Sequence, residues 1–128
     1  RIEINYSTIF VDLDETLIIE KRSVDIVLDF LKVARERKKK IILITRHKLN
    51  ILKTLAEASI DKDLFNKIIH VKEDEKKSAK INSALKGESE KETAIFIDNE
   101  FPERNDVVKN CHIPVFDVNG VDFIELNY

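Results

Sequence analysis

The sequence is short of the residues that commonly shape turns and cross-links. Its 128 residues include two Gly, two Pro, one Cys and no Met. With Gly and Pro so scarce, the turns fall mostly to Asn, Asp, Lys and Glu. A lone Cys111 excludes an internal disulfide and points to a reducing compartment, so a cytoplasmic location is expected. No apolar run approaches the length of a bilayer span and there is no signal-peptide pattern, so no membrane partner is expected. Neither charge dominates: 22 Lys plus Arg against 24 Asp plus Glu leave a net −2, a balance that requires neither nucleic acid nor an anionic surface. There is no internal repeat. A start at Arg1 with no Met reads as a piece trimmed or excised from a longer chain. What remains is a soluble composition long enough for one domain, residues 1–128, with a single two- or three-layer core.

Strand-like and helix-like segments alternate. Ile9–Val11, Ile41–Thr45, Lys67–Val71, Ala94–Asp98 and Val115–Val118 read as strands. Most are continuously apolar, as expected for strands covered on both faces. Val24, Val27, Leu28 and Leu31 have helical spacing, with Ser23 as the expected N-cap. Leu49, Leu52, Leu55 and Ala56 repeat the spacing, as do Ile81, Ala84 and Leu85, the last group ended by Gly87 at C′. Pro102 fits the first turn of a helix carrying Val107 and Val108. The basic run Arg35, Arg37, Lys38, Lys39 and Lys40 reads as a solvated helix end favoured by the helix dipole, rather than a nucleic-acid patch. The alternation predicts a three-layer α/β/α fold around a mostly parallel five-stranded, Rossmann-like sheet.

The most informative segment is Asp12-Leu13-Asp14-Glu15-Thr16, directly after the apolar run Thr8–Val11. Side chains alternate along an extended chain, so Asp12 and Asp14 start on the same side. Two carboxylates held together repel unless a cation or a shared proton lies between them, and the pairing suits Mg²⁺ with one carboxylate left as nucleophile. The plain alternative is a strand that ends in a helix-capping turn. In a parallel α/β sheet, ligands collect at the carboxyl ends of strands. Thr45-Arg46 and Asp98-Asn99-Glu100 also stand at such ends, and Lys76-Lys77-Ser78 opens a helix. Together these supply a nucleophile, a second carboxylate, a hydroxyl donor, a cation and a further metal ligand. Those are the parts that phosphoryl transfer needs, because its catalysis is mostly positioning and charge neutralisation.

This set resembles the haloacid dehalogenase superfamily of aspartate-nucleophile phosphohydrolases: an apolar strand with D-x-D-x-T, an apolar strand ending in Thr, a Lys, then an apolar strand with an acidic pair. The likeness runs in order from Thr8 to about Asn99. The Asp-Leu-Asp-Glu-Thr-Leu wording is similar to phosphatases acting on the C-terminal domain of RNA polymerase II. The stretch Ile97–Arg104 through Ile113–Asp117 looks more like bacterial domains of the superfamily, some of them attached to ATP-grasp or carbamoyl-phosphate-synthase-like modules. The resemblance implies that Asp12 attacks phosphorus and that Asp14 serves as acid and then base. It also implies that Thr45 hydrogen-bonds the transferring group, that Lys77 neutralises its charge, and that Asp98 holds Mg²⁺ together with Asp12 and the Asp14 backbone carbonyl.

Each role has a duller rival. Thr45 can cap the following helix. Lys76 and Lys80 compete with Lys77. Arg46 fits either a substrate contact or a surface residue. Asn99 stands where a second aspartate is commoner, keeping a carbonyl ligand but no charge. Glu103 fits a salt bridge with Arg104, simple exposure, or a water-mediated ligand. Glu15 replaces a glycine often found there. His47, His70 and His112 lack metal-ligand spacing and read as structural or solvated; Cys111 reads as core. Neither the gap after Thr16 nor that between Thr45 and Lys77 has room for a cap domain, although Leu17–Lys21 fits a short flap. An open site favours a large phosphorylated substrate, or completion by a second copy or a fused partner domain. The expected function is therefore a Mg²⁺-dependent phosphomonoester hydrolase on an unidentified substrate. The alternatives are a phosphotransferase or a silent module serving as an interaction domain. A phosphoacceptor receiver domain is disfavoured, since Ile68–Val71 ends without an acid.

Overall fold

Thr8–Val11 (β1) is buried at every position, as a strand must be when helices cover both faces of its sheet. The computed structural model describes residues 6–85, 87 and 93–124. In chain order, β1 is followed by Ile18–Ile19 (β2), Arg22–Ser23 (β3), Asp25–Glu36 (α1), Lys40–Thr45 (β4), Ile51–Glu57 (α2), a 3-10 turn at Lys62–Leu64, Lys67–His70 (β5) and Lys77–Ala84 (α3). Ala94–Ile97 (β6), Phe101–Cys111 (α4), Val115–Phe116 (β7) and a 3-10 turn at Val118–Phe123 complete it. The large sheet has the order β5-β4-β1-β6-β7, and its pairs are all parallel.

Alternation along each strand divides the core into two layers. Ile9 and Val11 of β1, Ile41 and Leu43 of β4, and Ile95 and Ile97 of β6 pack with Val27, Leu28 and Leu31 of α1 and Leu55 of α2. Phe10, Ile42, Ile44 and Phe96 face the other way, onto Ile81 of α3 and Val107 and Cys111 of α4. The fold class read from the sequence, α/β/α, is the one observed, and no cap domain occurs among the described residues. The chain order turns back at β1: β4 and β5 lie to one side, β6 and β7 to the other. The β1–β6 boundary is thus a topological switch point, where an open parallel sheet leaves a crevice at the carboxyl ends of its strands.

Several local expectations need correction. Ser23 does not cap α1. It pairs in the hairpin and donates to Asp25 Oδ1 at 3.3 Å, while Val24 occupies the cap position without a side-chain bond. The apolar face expected for α2 is only half covered, with Leu49 75% and Leu52 50% exposed. The last strand stops at Phe116, because Val118 enters the 3-10 turn capped by Asp117. Gly87 lies one residue beyond C′, since Leu85 is the C-cap of α3. The basic run is not wholly solvated: Lys39 Nζ donates to Tyr6 O at 2.7 Å and lies over the Tyr6 ring.

The scarcity of glycine is met by other residues in the left-handed region. Glu15, Glu20, Lys21, Lys38, Ser59 and His112 all have φ between 50° and 65°. Glu20 and Lys21 form the two-residue turn of the β2–β3 hairpin, which overlaps the segment Leu17–Lys21 expected as a short flap. Positive φ at both central residues favours Asn-Gly in such turns, whereas residues with longer side chains are strained there. Replacing Glu20-Lys21 by Asn-Gly is expected to stabilise the chain by about 1 kcal/mol. Thermal unfolding checks this, and a lowered Tm would contradict the turn geometry.

Candidate active site

The register of β1 on β6 pairs Val11 with Ile97, so the residues that follow, Asp12 and Asp98, emerge side by side. Their backbones are fixed in turn: Asp12 N donates to Ile97 O at 3.0 Å and Asp98 N to Phe116 O at 3.0 Å. Asp12 is 6% exposed and Asp98 fully buried. Two carboxylates in such a place need a counter-charge. It comes from Lys77 at the start of α3, whose Nζ lies 2.8 Å from both Asp12 Oδ1 and Asp98 Oδ2. Lys77 is itself 2% exposed. Lys76 is exposed at the N-cap, and Lys80 pairs with Glu75 at 2.8 Å, so of the three lysines open from sequence it is Lys77 that reaches the two aspartates.

A second ion pair stands beside the first. Arg46 donates from Nε and Nη2 to Glu103 at 2.8 and 3.3 Å, and from Nη1 to Lys72 O at 2.7 Å. Glu103 Oε2 also lies 3.5 Å from Lys77 Nζ. Of the alternatives open for Glu103, the salt bridge with Arg104 does not form: the guanidinium of Arg104 donates to Asp98 O at 2.8 Å. Arg46 therefore serves as an ion-pair partner rather than as a loose surface residue. Counted over Asp12, Asp98, Glu103, Lys77 and Arg46, the cluster carries one negative charge in excess.

Burial and the neighbouring charges together set the protonation equilibria. Burial pushes the Asp98 carboxyl up to about 6, helped by the charge of Asp12 and opposed by Lys77. Burial likewise raises Asp12, against the pull of Lys77. For Lys77 burial works to lower the pKa, but the two aspartates outweigh it and hold the ammonium protonated. Glu103 is shifted down: burial opposes this, and the bond from Arg46 and the charge of Lys77 overcome it.

Hydroxyls tie the loops together. Thr16 Oγ1 donates to Asp12 Oδ2 at 3.2 Å and accepts from Asn99 N at 2.9 Å. Asn99 thus contributes its N–H to the loop, while the residue itself is exposed and outside the cavity lining. Thr45 is fully buried at the end of β4, and its Oγ1 accepts from His47 N at 3.0 Å. Asp98 Oδ1 accepts from Glu100 N at 2.9 Å, a turn that aims the other carboxylate oxygen at Lys77. Glu15 has φ 61°, the conformation for which a glycine would be favoured.

His47 is a site residue the sequence reading missed; its signal was adjacency to the strand-end pair Thr45-Arg46. Its Nδ1 lies 2.9 Å from Asp14 Oδ2 and its Nε2 2.8 Å from Thr54 Oγ1. Thr54 Oγ1 also donates to Asn50 O at 3.0 Å, so the imidazole is held between Asp14 and the first turn of α2. His70 donates from Nε2 to His47 O at 3.0 Å, and His112 takes the left-handed cap of α4.

Asp12, Asp14, Arg46, His47, Lys48, Lys77, Asp98, Glu100 and Glu103 line one open cavity of about 250 Å³. A larger groove of about 380 Å³ runs along α1 and the last 3-10 turn, lined by Ile26, Phe30, Val33 and Val121 among others, and none of the strand-end residues reaches it. Among the described residues, no three His, Cys, Asp or Glu side chains gather in metal-ligand geometry. The donor set nevertheless fits Mg²⁺, which is commonly held by one or two carboxylates and keeps several waters. Here two buried carboxylates stand side by side with a surplus negative charge.

No family model and no curated protein matches the sequence. Two bacterial structures share the fold. A protein of Corynebacterium glutamicum described as uncharacterized superposes with a TM-score of 0.65 at 10% identity, over 97% of this chain and 100% of that one. A hydrolase from Streptococcus pneumoniae superposes with a TM-score of 0.59 at 11% identity, over 88% of this chain and 92% of that one. At such identities the likeness is one of fold. Among the described residues, no helix is long and apolar enough to cross a membrane.

The raised Asp98 carboxyl sets a pH dependence. The folded chain binds this proton more tightly than the unfolded chain between pH about 4 and about 6, so stability falls as pH rises through that window. Asp98→Asn is expected to stabilise the metal-free chain at pH 7 by about 1–3 kcal/mol and to give little at pH 4. Denaturant titrations at the two pH values check this; equal destabilisation at both would contradict it.

Proposed function

We infer that the chain is a phosphomonoester hydrolase working through an aspartyl-phosphate on Asp12. The observation that carries the reading is the Asp12–Lys77–Asp98 cluster at the carboxyl edge of a parallel sheet, at its switch point. Asp12 Oδ forms a bond to phosphorus as the bond to the leaving oxygen breaks, and that oxygen takes a proton from Asp14 acting as general acid. In the second half a water oxygen bonds to phosphorus, its proton passes to Asp14, and the Asp12–phosphorus bond breaks. Lys77 balances charge on the phosphoryl oxygens. The Thr45 hydroxyl, whose proton has no acceptor among the described residues, donates to one of them. Asp12, Asp98 and the Asp14 carbonyl would hold Mg²⁺, with Asn99 or Glu103 reaching it through water. The ion, when bound, supplies Lewis-acid charge neutralisation.

The fold is shared with a bacterial hydrolase, which supports the general class. No cap domain follows either β1 or β4 among the described residues, so the mouth admits a bulky phosphorylated substrate, a second copy or a fused domain. Acceptance by an alcohol in place of water would make the same intermediate serve phosphotransfer.

Turnover of p-nitrophenyl phosphate with Mg²⁺ is expected, and Asp12→Asn should lower kcat at least about 1000-fold with the fold intact by circular dichroism. Undiminished turnover in Asp12→Asn would overturn the mechanism. No reaction of the native chain with a panel of phosphate esters would leave the silent-module reading.

A further inference from the structure

Lys77 works only if its ammonium is delivered to a point between two aspartates, and lysine is among the side chains with most rotamer freedom to lose. Its backbone is the first residue of α3, an eight-residue helix whose own N-cap, Lys76, makes no side-chain cap bond. The exposed N–H groups of a helix start need an acceptor. That acceptor comes from a different helix. Asp106 of α4 accepts from Ser78 N through Oδ2 at 3.1 Å and from Ser78 Oγ through Oδ1 at 2.8 Å. Ser78 N is the group that an N-cap side chain would ordinarily satisfy, and a carboxylate there also complements the dipole of α3. The grip is braced on both sides. Asn110 Nδ2 donates to Asp106 Oδ1 at 2.9 Å, and Cys111 Sγ lies 3.3 Å from Ser78 O. Ser78 is 3% exposed, so water does not substitute readily for the carboxylate.

α4 also carries Glu103, one turn before Asp106, and begins three residues after Asp98. One helix therefore follows one member of the charge cluster, supplies the carboxylate that ties in Arg46, and clamps the residue next to Lys77. We propose that Asp106 is a positioning residue for the reaction: a cap supplied in trans that fixes the first turn of α3, and with it the point to which Lys77 delivers its charge. The proposal rests on the hydrolase reading for the role of Lys77, but its geometry can be tested separately.

Reductive methylation of the folded protein, read residue by residue by mass spectrometry, reports access to Lys77 whether or not the chain is active. In the native chain Lys77 is expected to be the slowest lysine to react. In Asp106→Ala its labelling should accelerate at least about tenfold, while Asp106→Asn, which keeps an acceptor for Ser78, should stay near native. If Asp106→Ala fails to fold, Ser78→Ala, which removes the Oγ bond alone, is expected to give a smaller acceleration. With p-nitrophenyl phosphate, Asp106→Ala should lose about ten- to hundredfold in kcat with a smaller change in KM, and Asp106→Asn should recover most of it. A loss of melting temperature with native labelling of Lys77 and native kcat would overturn the proposal. An inert native chain would overturn the hydrolase reading, and the labelling would still decide whether Asp106 holds Lys77.

Discussion

The structure is organised around one ammonium group placed between two buried carboxylates. Without Lys77, Asp12 and Asp98 would face each other as uncompensated charges in an apolar setting, an arrangement that costs several kcal/mol. With it, burial still keeps both aspartates raised, against the pull of Lys77. A structure selected for stability alone would place apolar residues here, since a well-packed hydrophobic replacement for a buried ion pair is commonly neutral or better. The cluster is therefore better explained by chemistry than by folding. A charge cluster of this kind, lining a crevice at the carboxyl edge of a sheet, marks a candidate functional site.

The sheet makes this placement possible. Parallel pairing with Val11 opposite Ile97 sets Asp12 and Asp98 in neighbouring exits from the core, and the turn of chain order at β1 opens space above them. Helices on one face then bring in what the strands cannot. α3 contributes Lys77, and α4 contributes Glu103 and Asp106. Phe96 and Phe10, packed beneath α3 and α4, tie the apolar layer to the polar edge it supports.

Much of this was legible in the sequence. The central strands β1, β4 and β6 announced themselves because both their faces are buried, which leaves continuous apolar runs. The site residues did so because polar groups at the ends of such runs have no packing explanation: Asp12, Thr45 and Asp98 stand where the runs stop. What the sequence concealed was pairing over distance. Glu103 and Arg46 are 57 residues apart and are joined only by the fold. Nothing in the local pattern favoured Arg46 over Arg104 as the partner of Glu103. His47 looked like any other histidine until α2 brought Thr54 to its far side. Ser23 met the composition rule for a cap but was claimed by the hairpin, and Asp106 became a cap although it lies 28 residues from Ser78, the residue it holds.

The account turns on Asp12 being the group that takes the phosphoryl, with Lys77 and Asp98 around it. The most direct measurement is a crystal structure of the chain grown with Mg²⁺ and beryllofluoride, a mimic of an acyl phosphate. The account predicts beryllium bonded to an Asp12 carboxylate oxygen, Lys77 Nζ and Thr45 Oγ1 within hydrogen-bond distance of the fluorides, and the ion shared by Asp12 and Asp98. A mimic bound elsewhere, or an Asp12 carboxylate still held by Lys77 with no ion beside Asp98, would contradict it.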